Sequence, residues 1–473
     1  MRITFVRPNI GRLPEGPYLD EGRMEPLPLA VLAALTPPEV ECVMYDDRLE
    51  PVPFDEPTDL VAITVEIYTA RRAYEIAGEY RRRGVRVVLG GFHPTLLPEE
   101  CLEHGDAIGR GDAEGYWDRV VEDAARGRLQ RVYEAAPGGV PQAHGLRPRR
   151  DLFRGKRYLP LTLLQFGRGC RFACNFCAIA SFFDCTHVTR PVEEVLGEIA
   201  SQERRTLFFV DDNLVSDREA AKRLMRALVP LRLRWVSQGS LDMTRDPELM
   251  DLMEESGCLG HVIGFESVQP GSLSSMGKPQ NLGRGGWDCY DEACEVLRRH
   301  HLQTWASFTL GHDQDTPESI RATLEFAMRQ KFCFAAFNVL MPYPGTPLYG
   351  RLAAEGRLLW GGKWWVHPEY RFNHAAFVPA GMTAAELTAS ALDCRMRWNS
   401  ATAIFRRLWD PATHLHSPTR LGVFLAYNRL FARETRRKQG MYLGASAREL
   451  ASLPTLSPGE PQKADAAGRG GAP

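Results

Sequence analysis

Gly167-Arg168-Gly169-Cys170-Arg171-Phe172-Ala173-Cys174-Asn175-Phe176-Cys177 gathers three thiols into one loop. Just before it, Leu161 to Phe166 is a short apolar run that stops at glycine and reads as a strand. Three cysteines cannot complete a four-ligand structural zinc site without recruiting a fourth group. A cubic iron-sulfur cluster held by three cysteines instead keeps one iron open to an outside ligand. Cys170, Cys174 and Cys177 are therefore the candidate metal ligands. Cys185 and His187 lie close enough in sequence to supply the fourth ligand of a zinc alternative. The stretch between, from Ala178 to Asp184, lacks the paired-knuckle spacing usual for zinc.

Downstream of this loop, apolar runs alternate with helical patterns. Candidate strands are Leu161 to Phe166, Thr206 to Asp211, Leu233 to Gln238, His261 to Glu266, Gln303 to Leu310 and Ala335 to Leu340. Six strands interleaved with helices suggest an incomplete barrel, whose site would lie at the carboxyl ends of the strands. Polar groups stand at those ends: Asp211 and Asp212 after the second, Ser237 and Gln238 at the third, Glu266 at the fourth. The aspartates read equally as an acidic helix cap. Met276-Gly277-Lys278-Pro279-Gln280 follows as a loop.

Upstream, a second parallel α/β series runs through Ile3 to Val6, Glu41 to Tyr45, Leu60 to Thr64, Val85 to Leu89 and Ala107 to Ile108. Ala70 to Arg83 has apolar residues at helical spacing and a basic last turn before Gly84, so it predicts a crossover helix. The fourth strand runs into Gly90-Gly91-Phe92-His93-Pro94-Thr95, and the fifth into Gly109-Arg110-Gly111. In doubly wound sheets, ligands bind beyond such strand ends. No G-x-G-x-x-G follows the first strand, which weakens a nicotinamide reading.

The chain of 473 residues is longer than one core normally organises. Residues 1–135 form the first expected domain, 136–157 a Pro/Gly-rich linker, 158–350 the partial barrel, 351–455 a mostly helical domain, and 456–473 a disordered tail. Charged residues make up 25% and balance to a net charge of -1, so no whole-chain field draws in nucleic acid. Eleven cysteines with a single cluster fit reduced thiols rather than a disulfide framework. With no signal-like N-terminus and no long apolar run, the expected location is cytoplasmic. The apolar stripes Leu358 to Trp365 and Leu421 to Tyr427 read as core helices, or as cover for a hydrophobic substrate. The basic residues from Arg433 to Lys438 read as a solvated helix, or as a peripheral membrane contact.

C-x-x-x-C-x-x-C with an aromatic before the last cysteine resembles the radical S-adenosylmethionine (radical SAM) superfamily. The order of GG-x-H-P-T and a following glycine-rich strand end ahead of it resembles the cobalamin-binding members. The resemblance implies an α/β chain: an N-terminal Rossmann-like cobalamin-binding domain, a partial (β/α)6 radical SAM barrel and a helical C-terminal extension. It implies a four-iron four-sulfur (4Fe-4S) cluster on the three cysteines, with S-adenosylmethionine on the open iron. Phe176 would lie beside adenine, Asp212 or Asp211 would hold the methionine amino group, and Glu266 the ribose hydroxyls. Ser237 would also border the cofactor, and Lys278 would pair with its carboxylate. Gly90, Gly91 and His93 would border cobalamin, although His93 reads equally as a structural histidine flanking a helix. The cobalt-ligating D-x-H-x-x-G loop of other corrinoid proteins is missing, which implies base-off cobalamin without a ligand from that motif. The implied reaction is C-methylation through methylcobalamin on a small-molecule, lipid or natural-product substrate, with a flavodoxin or ferredoxin-type electron donor. Alternatives are cyclisation or rearrangement with the same cofactors, and a non-enzymatic iron-sulfur electron carrier.

Overall fold

In the computed structural model, residues 1–13, 16–135, 145–282, 288–445 and 449 are described, and the chain divides into two units. The linker residues 136–144 and the expected tail 456–473 lie outside the described residues.

The first unit is built on a six-stranded parallel sheet among the described residues. Its strands are β1 (Arg2–Arg7), β2 (Glu41–Asp46), β3 (Leu60–Thr64), β4 (Arg86–Gly90), β5 (Ala107–Arg110) and β6 (Val132–Glu134). Their order is β2-β1-β3-β4-β5-β6. The central strands are apolar on successive residues because helices cover both faces of a parallel sheet; Leu60 to Ile63 are all buried. α1 (Leu27–Leu35) and α5 (Trp117–Ala125) pack their apolar faces against Ile3, Phe5 and Ala62. α2 (Ala70–Arg82) buries Ala73, Tyr74, Ile76, Ala77 and Tyr80 and ends on Arg81 and Arg82. β6 is absent from the strands expected from sequence, because only Tyr133 of its three residues is buried and no apolar run marks it.

Residues 363–372 and 441–445, which the sequence reading assigns to the helical domain, group with this unit instead. The reason is burial: Trp364 and Trp365 are almost wholly inside it. Trp364 packs on Tyr68 and Tyr370. Trp364 and Trp365 of the stripe are therefore core, while Leu358, Leu359 and Trp360 are half-buried and group with the second unit.

The second unit holds six parallel strands in strict chain order: β7 (Thr162–Leu164), β10 (Thr206–Phe209), β11 (Arg234–Gly239), β12 (Cys258–Glu266), β13 (Gln303–Leu310) and β14 (Phe334–Val339). Between β7 and β10, β8 (Gly167–Gly169) and β9 (His187–Thr189) form an antiparallel pair. Helices α7 (Val192–Ala200), α8 (Arg218–Leu228), α9 (Pro247–Glu255), α10 (Pro270–Ser275), α11 (Asp288–Arg299) and α12 (Pro317–Arg329) fall between strands, and α13 (Pro347–Ala354) follows the last. α14 (Ala384–Trp398) starts where Thr383 and Glu386 form a reciprocal capping box, worth about 1 kcal/mol.

α15 (Ala401–Leu408) and α16 (Pro418–Lys438) are joined through Arg407, which is 1% exposed. Its guanidinium lies 3.6 Å above the Trp398 ring. It donates to the carbonyls of Phe332, Cys333 and Trp398 and to Asn428 Oδ1 at 3.0–3.3 Å. Burial pushes its pKa down to about 9. Among the described residues, no helix is long and apolar enough to cross a membrane.

His261 sits inside β12, 1% exposed, edge-on to Trp235, with Nε2 3.3 Å from Cys258 Sγ. Burial lowers its pKa to about 3. The unfolded chain takes up a proton below about pH 6.5 and the folded chain does not, so this contribution is complete above 6.5 and is lost as pH falls. Denaturant unfolding at pH 7.5 and pH 5 should show a loss of about 2 kcal/mol from this site. His261→Leu should remove that part of the pH dependence; an unchanged dependence would contradict it.

Candidate functional site

The carboxyl ends of the second unit's parallel strands bring the three-cysteine loop, Asp211, Asp212, Gln238, Glu266 and Thr309 to one edge of the sheet. The loop is fastened first by two carboxylates after β10. Asp211, wholly buried, accepts from the backbone amides of Phe166, at 3.0 Å, and Gly167. Asp212 Oδ2 accepts from the Gly169 amide at 2.8 Å. Burial pushes the Asp211 carboxyl up to about 7 against the pull of those amides. A second fastening lies between Cys174 and Cys177. The Asn175 amide donates to the Met276 carbonyl at 3.0 Å, its side chain donates to the Ser275 carbonyl at 2.8 Å, and its own carbonyl accepts from Leu348 at 2.9 Å.

The thiols differ in surroundings. Cys174 is the most buried, and burial pushes its pKa up to about 11, partly offset by Lys278. Burial also raises Cys177, while the amides of Ala180 and Ile179 at the start of α6 (Ala178–Phe182) pull it down. Asn213 Nδ2 stands 3.5 Å from Cys170 Sγ, and Gln280 Nε2 stands 3.9 Å from Cys174 Sγ. Amide donors aimed at sulfur suit thiolates that carry charge into a metal cluster. Among the described residues, no three His, Cys, Asp or Glu side chains converge on a single ion. Three thiols on one loop, two of them faced by amide donors, are a donor set whose chemistry fits such a cluster. Of the zinc alternative, His187 lies against Gly167 with its Nε2 buried and unpartnered, while Cys185 Sγ is 4.0 Å from the Ala180 carbonyl.

Beyond the cysteines, β12 ends on a bulge at Gly264 and Glu266, and Glu266 takes φ +64°. A non-glycine residue in that region costs about 1–3 kcal/mol and is held by its surroundings. Here the hold is an ion pair: Lys278 Nζ lies 2.5 Å from Glu266 Oε1, with both side chains at most 10% exposed. A Cβ on Gly264 would collide with both charged groups. Thr309 Oγ1 is 3.3 Å from Glu266 Oε2 and 3.0 Å from His312 Nε2. His312 lies edge-on to Phe176 at 6.1 Å. Phe176, Glu266 and Lys278 are thus connected, the first two through His312 and Thr309.

Two expected residues stand differently from their reading. Ser237 is fully buried, its Oγ donating to the Gln238 carbonyl, while Gln238 Nε2 reaches the Asp211 carbonyl at 3.2 Å. Lys278 is already paired with Glu266. Sequence reasoning gives no role to His312, Asn213 or Gln280, although Gln280 closes the quoted Met276 to Gln280 loop and the other two are polar beside strand ends.

In the first unit, Gly91 takes φ +109° where β4 turns into α3 (Phe92–Leu96). His93, 2% exposed, lies in a closed polar network. Its Nε2 is 3.0 Å from Tyr74 Oη and 3.1 Å from Glu100 Oε1. Glu100, in α4 (Pro98–His104), also accepts from Trp365 Nε1 at 2.8 Å. Burial opposes ionisation of Glu100, but the donors His93, Trp365 and Tyr74 overcome it and hold the carboxyl at about 2.

Residues 164–327 match the radical SAM superfamily. That stretch is a radical SAM domain. The chain is a radical SAM enzyme, and the cofactors the family implies are a 4Fe-4S cluster and S-adenosylmethionine. It is 27% identical over 82% of its length to bacteriochlorophyllide d C-12(1)-methyltransferase of Chlorobaculum tepidum, covering 86% of that protein. It is 24% identical over 84% of its length to hopanoid C-2 methylase of Rhodopseudomonas palustris, covering 75% of it. Its fold is similar to that of TsrM, a radical S-adenosylmethionine methyltransferase from Kitasatospora setae solved with cobalamin and a 4Fe-4S cluster. The TM-score is 0.63 and the identity 16%, over 96% of this chain and 100% of that one.

Removing one partner of the buried ion pair strands the other. Lys278→Met is expected to destabilise the metal-free protein by about 3–5 kcal/mol, with Glu266→Leu/Lys278→Met recovering most of the loss. Denaturant unfolding of both variants checks this; equal stability of Lys278→Met and the parent would contradict it.

Proposed function

We propose that this radical SAM enzyme is a cobalamin-dependent C-methyltransferase acting on an unactivated carbon of a small-molecule, lipid or natural-product substrate. The observation that carries the reading is the pairing, in one chain, of the three-cysteine loop with a doubly wound unit whose fourth strand ends in Gly90-Gly91. Its likeness to two named methylating enzymes over more than four fifths of the chain supports it.

The six-stranded sheet in chain order is the partial barrel of this reading. Cys170, Cys174 and Cys177 would hold the cluster, and Phe176 would stack beside adenine. Glu266, held in place by Lys278 and Thr309, would take the ribose hydroxyls; Asp212, or Asp211, would stand toward the methionine amino group. Ser237, being buried, supports the sheet edge from which Gln238 projects. When bound, the cluster and S-adenosylmethionine supply a carbon radical that removes hydrogen from the substrate. What the chain supplies is the cradle: side-chain amides of Asn213 and Gln280 toward sulfur, and a fixed carboxylate.

Cobalamin fits the open strand ends of the first unit. A Cβ on Gly90 would meet nothing closer than 3.9 Å, so the backbone there is free for close approach. Gly109 does not add to the cradle, because the Tyr116 ring fills its space. His93 is taken up by Tyr74 and Glu100, so in this reading it positions the Gly90–Gly91 loop rather than cobalt. A flavodoxin or ferredoxin-type protein would deliver the electron.

Oxygen-free protein loaded with cluster and cobalamin, given S-adenosylmethionine and reductant, should release S-adenosylhomocysteine to one equivalent per cobalamin, together with 5′-deoxyadenosine. Alanine at Cys170, Cys174 or Cys177 should abolish the nucleoside. Nucleoside without S-adenosylhomocysteine would replace this reading by cyclisation or rearrangement. No nucleoside from the loaded parent protein would leave an electron carrier.

A further inference from the structure

α15 and α16 lie side by side in the second unit. Asn399, which ends α14 just ahead of α15, places its Nδ2 3.1 Å from Thr435 Oγ1 of α16, and Arg407 of α15 reaches Asn428 Oδ1 at 3.0 Å. Ile404 and Leu408 of α15 and Val423, Phe424 and Tyr427 of α16 face inward, onto Trp305 and Cys333. The opposite faces of both helices therefore form one outer surface.

That surface has an unusual composition. Among the described residues, eight large hydrophobic side chains are exposed, and four of them fall between positions 405 and 425: Phe405 at 60%, Trp409 at 57%, Leu425 at 50% and Leu415 at 36%. Phe405 lies in α15, Trp409 directly follows that helix, Leu415 lies in the segment that connects it to α16, and the Phe405 and Trp409 ring centroids are 6.0 Å apart. Single exposed apolar residues are ordinary. Four so close together, including the two most exposed, are not what a solvated helix needs.

Charge points the same way. Between residues 401 and 438, Arg406, Arg429, Arg433, Arg436 and Arg437 are exposed, and no Asp or Glu is. Glu434 pairs with Lys438, and Asp410 is buried against Arg298. The whole chain carries -1, so this cationic face is a local feature and not a share of a general excess. Exposed Trp, Phe and Leu beside arginines are the side chains that enter the headgroup region of an anionic bilayer. The rings bury in the interface, while the guanidinium groups meet lipid phosphates.

We propose that the outer face of α15 and α16 is a peripheral docking surface for anionic phospholipid bilayers. It does not rest on the methyl-transfer reading, and it places the chain where apolar substrates are concentrated. An acidic partner protein would use the arginines but leaves Phe405 and Trp409 without a role; a second copy would bring the same cationic face against itself.

The test is co-sedimentation of the full chain with phosphatidylcholine vesicles, with and without phosphatidylglycerol, alongside analytical ultracentrifugation without lipid. The expected result is binding only to phosphatidylglycerol vesicles, weakening as salt rises. Phe405→Ser/Trp409→Ser and Arg429→Glu/Arg433→Glu/Arg436→Glu should each cut it at least fivefold, with circular dichroism unchanged. Absence of vesicle binding would overturn the proposal. So would a lipid-free dimer that Phe405→Ser/Trp409→Ser dissociates, or binding of an acidic flavodoxin, lost in the arginine variants, by protein that ignores vesicles.

Discussion

The site depends on two carboxylates meeting three backbone amides. Asp211 and Asp212, at the end of β10, accept from Phe166, Gly167 and Gly169 and so fix the chain just before Cys170. Each buried amide left unpaired would cost about 1–3 kcal/mol. The second clamp, on Asn175, acts between the other two cysteines. A loop tied just before its first thiol and again between its last two can present three sulfurs without help from the metal.

The same economy governs the charged groups behind the loop. Glu266 adopts a strained backbone, and its carboxylate is kept by Lys278 on one side and Thr309 on the other. A buried pair of this kind contributes little net stability but fixes orientation, since neither charge tolerates being left alone. In the first unit, Glu100 plays the comparable part for the Gly90–Gly91 turn, gathering His93, Tyr74 and Trp365 around one carboxylate.

Much of this architecture is legible in the amino-acid sequence. The strand Leu60–Thr64 follows from its apolar run and Gln303–Leu310 from its aromatic and β-branched residues, and the cysteine spacing points to the candidate metal ligands. β6 escapes because three residues with one buried side chain leave no pattern. Ser237 and Gln238 cannot be told apart, since neighbours in a strand point to opposite faces and sequence does not say which face carries the site. Lys278 reads as the partner of an outside carboxylate because its actual partner, Glu266, is twelve residues away across a bulge. Trp364 and Trp365 show the same limit at longer range: an apolar stripe reveals burial but not against which unit.

The central claim is that three protein thiolates leave one iron to bind S-adenosylmethionine. Electron-nuclear double resonance of the reduced cluster, with S-adenosylmethionine labelled at its amino nitrogen and carboxylate oxygens, reads that bond directly. Hyperfine coupling to both labels is the predicted result. A reduced cluster with bound S-adenosylmethionine and no coupling to either label would contradict the account.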